Sequence, residues 1–210
     1  MMYKKQMTLQ KVICLLAVIA SVVCFVYARG LMTDVYDGLS PVQDAKRVSQ
    51  MQKMYYRDWP KGEPYPDTNF DVYQEMQPFN RTMLLVSIGL ILLAVLLYIT
   101  NTSGRRKYYV GNYIATGLNV VAQIAAVCWI HVQVTGFRAS YALVNQEFLA
   151  FVLEKQSKPF VYSTFWFDAH YFVMALSFVA AALLVVNVIW KLVLMKQEKR
   201  LIEAGKAVSA

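Results

Sequence analysis

Asn112, Thr116, Asn119 and Gln123 are polar residues set in an otherwise apolar stretch. They are spaced by four, three and four, which at about 100° per residue puts them on one stripe of a helix. Hydrocarbon offers amides and hydroxyls no partner, so such a stripe must face other helices or a wet cavity. Two chemistries follow. As interhelical glue, each bond across the stripe is worth roughly 0.5–1.5 kcal/mol. As a lining, the stripe would pass a polar solute across the membrane. It holds no charge, and ion or proton paths usually carry an ionisable group at that depth. The glue reading is therefore favoured.

His131, Asp168 and His170 form a second set, and they include both histidines of the chain. Tyr109 to His131 is about 33 Å of helix, and Trp190 back to His170 about 30 Å. Antiparallel spans would bring the two imidazoles to one membrane interface. Two imidazoles and a carboxylate suit a metal ion or a proton relay. His131, however, lies about 90° around the helix from the polar stripe. Wetted interfacial histidines are the expectation, with no metal and no cofactor. Haem is not expected either, because two histidines at one depth supply one axial pair at most. No GxSxG, HExxH, P-loop or dinucleotide-binding glycine pattern occurs, so an enzyme is not expected.

The elements that position these residues are apolar runs. The hydrophobic fraction is 58% and the mean hydropathy +0.39, which is high for a soluble domain. Four runs carry the excess, at about 12–28, 83–99, 109–135 and 165–194. Each is close to the roughly 20 residues that cross a ~30 Å hydrocarbon core. The first also resembles a signal peptide, with Val26-Tyr27-Ala28 as a tolerable cleavage pattern, but is read as a retained anchor. The expected fold is all-α: a single integral membrane domain over 1–210, built as a four-transmembrane-helix bundle with amphipathic helices in two external loops.

Charge orients the spans. The N-terminal segment, the loop after the second run and the tail together hold eleven basic residues, Lys191 among them, and only Glu198 and Glu203 as acids. Apart from Asp168, the segments 29–81 and 136–164 hold the rest, nearly balanced. The positive-inside rule then places both termini and the tail 195–210 in the cytoplasm. The basic surplus is read as topology with contact to anionic lipid, and nucleic acid is not an expected partner.

Within 29–81, Ser40-Pro41-Val42-Gln43 reads as a capped helix start and predicts a helix over about 41–56. A prolyl stretch follows, then a short helix over 71–77 ended by Pro78. A second amphipathic helix is expected over 139–155. Asn101 to Gly104 is read as a cytoplasmic turn. Cys14, Cys24 and Cys128 all lie in apolar runs, so neither external segment can hold a disulfide, which favours a bacterial inner membrane.

Depth counting predicts that Asn112 and Asn187 face each other, with Asn119 and Gln123 continuing the seam against Ala180, Ala181 or Ala182. The expected function is a non-enzymatic accessory or structural subunit of a larger membrane assembly, such as a transporter complex. The expected partners are the bilayer and a membrane protein or a second copy of the chain. A small channel or carrier lined by the stripe is the alternative, and a metal-dependent membrane enzyme at His131, Asp168 and His170 the third reading.

Overall fold

A computed structural model describes residues 2–36, 44–102, 110–155 and 163–208. Among them every regular element is helical: α1 (Met2–Gly30) running into a π-helical turn (Leu31–Tyr36), α2 (Ala45–Tyr55), α3 (Asp71–Thr102), α4 (Val110–Ala142), α5 (Gln146–Glu154) and α6 (Phe165–Val208). α1, α3, α4 and α6 are long and apolar enough to cross a membrane, and the chain is accordingly an integral, multi-pass membrane protein.

The helices outrun their apolar runs. α6 has 44 residues, about 66 Å at 1.5 Å per residue, so it cannot lie wholly within a ~30 Å core. The short helix expected over 71–77 is the first two turns of α3, which continues through Pro78. A proline removes the backbone donor that the Gln74 carbonyl would otherwise take, and the helix continues despite that loss. The helix expected over 139–155 is two helices. α4 stops at Ala142, and Asn145 caps α5 by accepting from the Phe148 amide at 3.0 Å. The Ser40–Gln43 start lies outside the described residues. α2 begins at Ala45, with Asp44 accepting from the amides of Lys46 and Arg47 at 3.0 and 3.4 Å.

The chain divides into two compact units. One, the seam unit, comprises Met1–Cys24, Val86–Cys128 and Phe172–Ala210; the other, the aromatic unit, comprises Phe25–Leu85 and Trp129–Tyr171. The seam unit takes one piece of each long helix. Its apolar core joins Ile13, Cys14, Ala17, Leu97 and Leu184, with Ala115, Val120 and Leu183 packed against it. Outward positions of α3 in this unit, such as Leu92 and Ile99, are 66% and 60% exposed, as lipid-facing residues should be.

The aromatic unit is built around Phe148, which is fully buried. Tyr55 and Tyr56 from the end of α2, Phe70 before α3 and Phe151 on α5 surround it at centroid distances of 5.4, 6.1, 5.7 and 6.4 Å. Hydrogen bonds fasten the surrounding loops. Asn69 adopts a left-handed φ of 52°, which asparagine tolerates, and its Nδ2 donates to the Leu143 carbonyl at 2.8 Å. Asn145 Nδ2 donates to the Tyr56 hydroxyl at 3.1 Å, and the Asn145 amide to the Thr68 carbonyl at 3.2 Å. On α1, Gly30 lies under Trp166: a Cβ there would stand 2.1 Å from the indole. The run Asn80-Arg81-Thr82 has the Asn-X-Thr form of a glycan acceptor, but Asn80 is 1% exposed in this fold.

Candidate functional site

The polar stripe on α4 is buried as its spacing requires. Asn112, Thr116, Asn119 and Gln123 are all 5% exposed or less. Gln123 Nε2 donates to Asn119 Oδ1 at 2.9 Å and approaches the Ala17 carbonyl of α1 at 3.4 Å. Thr116 Oγ1 donates back to the Asn112 carbonyl at 2.7 Å and receives Asn101 Nδ2 of α3 at 3.4 Å.

Three residues of the seam, Gln6, Gln10 and Asn101, come from outside the apolar runs. Gln6 and Gln10 sit one turn apart on α1, at 0% and 1% exposure. Gln6 Nε2 donates to Gln10 Oε1 at 2.9 Å and to Asn187 Oδ1 of α6 at 3.1 Å. Gln10 Nε2 donates to the Asn101 carbonyl, and its distance to Asn101 Oδ1 is 3.4 Å. Asn101 is thus the last turn of α3 and 4% exposed, not a solvated cytoplasmic turn. Asn112 and Asn187 are both buried, and the bond that reaches Asn187 comes from Gln6. Ala180 and Ala181 are buried and Ala182 is exposed. A four-residue period running back from Gln10 to Gln6 was the available signal for the α1 contribution.

Lys191 is the larger departure. It follows Asn187 by one turn, on the same helical face, and is 3% exposed. Its Nζ stands 5.1 Å from the centroid of the Tyr113 ring, a cation–π contact. The Tyr113 hydroxyl donates to Met195 Sδ at 3.0 Å. Among the described residues no carboxylate pairs with Lys191. The seam unit contains only two acids, Glu198 and Glu203, both on the exposed end of α6. The seam therefore carries a charge, and it comes from a residue that the sequence reading counted with the solvated tail. Among the described residues, Gln6 Oε1, Asn119 Nδ2 and Gln123 Oε1 are also buried without a hydrogen-bond partner. Unmatched donors and acceptors of this kind are uncommon in a settled core.

In the aromatic unit the two histidines do meet. His131 Nδ1 and His170 Nε2 are 2.9 Å apart, joining α4 to α6. Asp168 does not join them. Its carboxylate takes Arg138 Nε at 3.0 Å and the Thr164 hydroxyl at 2.9 Å. Among the described residues no three His, Cys, Asp or Glu side chains gather as a metal-ligand set. Comparison with protein-family models, with curated proteins and with solved structures finds no match to this chain.

Proposed function

We propose that this protein is a small membrane carrier or channel for an anionic solute, with Lys191 as the charge that the solute meets. The single observation behind this reading is the ammonium of Lys191, 3% exposed, against the Tyr113 ring and near the Cys14 thiol, with no carboxylate paired to it among the described residues. Taking an ammonium out of water costs several kcal/mol. A desolvated ring face returns about 2 kcal/mol. The balance is unfavourable unless an anion offsets it, and intramembrane ionisable residues commonly mark solute or ion paths. The unmatched amide groups of Gln6, Asn119 and Gln123 extend the same polar lining along the seam. Both termini in the cytoplasm and a bacterial inner membrane complete the proposal, on the charge asymmetry and the cysteine-free external segments.

Purified protein in liposomes tests it. Flux of chloride, phosphate or a small carboxylate should appear with the chain alone and fall at least tenfold in Lys191→Met. No flux across that panel, or flux untouched by the substitution, overturns the reading.

The accessory-subunit reading stays second, supported by the far end of α6. Leu201 and Ile202 are 73% and 54% exposed there, about 54 Å of helix beyond Phe165. Co-purification of one stoichiometric partner, lost in a Leu201→Glu, Ile202→Glu variant, would favour it.

A further inference from the structure

The histidine pair offers a site that the proposed transport role does not use. His170 is 1% exposed, and its Nδ1 is bonded to the Phe167 carbonyl one turn earlier on α6. A carbonyl oxygen only accepts, so Nδ1 carries the hydrogen. In the neutral ring the lone pair is then on Nε2, and Nε2 is the atom that faces His131 Nδ1 at 2.9 Å. This is the arrangement in which a backbone carbonyl fixes the tautomer of a metal-binding imidazole and aims its free nitrogen.

Tyr171 holds the rings from the side, its centroid 4.0 Å from that of His170 and 5.8 Å from that of His131. Tyr171 also lines a cavity of about 300 Å³, together with Thr135, Arg138 and Thr164. Thr135 follows His131 by one turn and donates to its carbonyl at 2.7 Å. The cavity thus lies beside the pair, reaching it through Thr135 and Tyr171, and neither histidine lines it. The carboxylate that would complete a three-ligand set is engaged by Arg138 and Thr164 instead.

We propose that His131 and His170 form a two-imidazole site for a divalent transition-metal ion of the zinc or copper class. Metal–nitrogen bonds of about 2.0–2.1 Å at a tetrahedral angle set the two nitrogens about 3.3 Å apart. The observed separation needs to open by only a few tenths of an ångström. For the ion to enter, His131 moves its hydrogen from Nδ1 to Nε2, so that both facing nitrogens offer lone pairs and no net proton is lost, and water from the neighbouring cavity fills the remaining positions. Imidazole nitrogens without thiolate or carboxylate favour zinc and copper over calcium or magnesium. Two protein ligands make the site open and exchangeable, unlike a closed structural zinc site.

The test uses the full chain in detergent, stripped with chelator and titrated with Zn²⁺ by calorimetry, then with Cu²⁺ by electron paramagnetic resonance. One equivalent should bind, and the copper spectrum should carry nitrogen hyperfine structure. His131→Gln and His170→Gln should each weaken binding at least tenfold, while retaining the elution volume and helical content of the parent. Asp168→Asn should leave affinity within about twofold. Absence of saturable binding in the parent overturns the proposal, as does parent-like affinity in both glutamine variants. Loss of binding in Asp168→Asn overturns the two-ligand form of the site.

Discussion

The two units solve opposite problems with the same four long helices. The seam unit holds eleven basic residues and two acids, whereas the aromatic unit holds ten and eleven. The division made by charge along the sequence is therefore also the division of the folded chain. The aromatic unit is cohesive in the ordinary way: rings packed on Phe148, capped short helices, and its ion pair half exposed at the surface. The seam unit adds to its small apolar core a line of buried amides and a buried lysine; buried polar atoms without a hydrogen-bond partner occur in both units, on Asn80 and Tyr73 in the aromatic one and on Gln6, Asn119 and Gln123 in the seam. What sets the seam unit apart is its buried lysine, and a buried ionisable residue in a membrane-spanning helix is the place to look for function.

Substitutions can break or sharpen that contrast. The largest effect is expected at the centre of the aromatic unit, where Phe148→Ala should cost about 3–5 kcal/mol. Thermal unfolding in detergent should show the loss, and a midpoint within a degree of the parent would remove Phe148 from the centre. Gly30→Ala comes next. Its new methyl meets the Trp166 indole, and overpacking of this kind costs about 1–3 kcal/mol. An unchanged midpoint and an unshifted tryptophan emission spectrum would deny that contact. In the seam, Gln10→Ala should cost only about 0.6 kcal/mol and at most about 2, since amide bonds between helices in lipid are weak. A loss as large as that of Phe148→Ala would make the seam the structural core and erase the contrast. The smallest effect is expected at Arg138→Ala. Its ion pair with Asp168 is about half exposed and worth under about 1 kcal/mol, falling further in salt.

Much of this is legible in the sequence. Apolar runs report the hydrocarbon they cross, so the four spans and the burial of the α4 stripe could be read from pattern alone. Helix ends could not, because a helix continues wherever its backbone bonds are met, as α3 does through Pro78 and α6 does well past Leu194. Gln6, Gln10 and Asn101 were missed because they stand outside the apolar windows that defined the spans. Lys191 was misassigned for a related reason. A lysine at the edge of an apolar run ordinarily marks water, and only the packing of α6 against α4 shows its ammonium under the ring of Tyr113. The meeting of His131 and His170 was foreseen in depth, but the diversion of Asp168 to Arg138 and Thr164 was not. Nothing in the sequence says which of two neighbours a carboxylate will choose.

The central claim is that the seam unit keeps Lys191 for a solute and not for stability. Lys191→Met tests it most directly when stability and flux are measured on one preparation. Methionine keeps the length of the side chain and removes its charge, so the desolvation cost disappears while most of the packing stays. The account predicts an unfolding midpoint at or above that of the parent, together with anion flux reduced at least tenfold. A lowered midpoint with flux unaltered would contradict it, and Lys191 would then be a structural cation held by Tyr113.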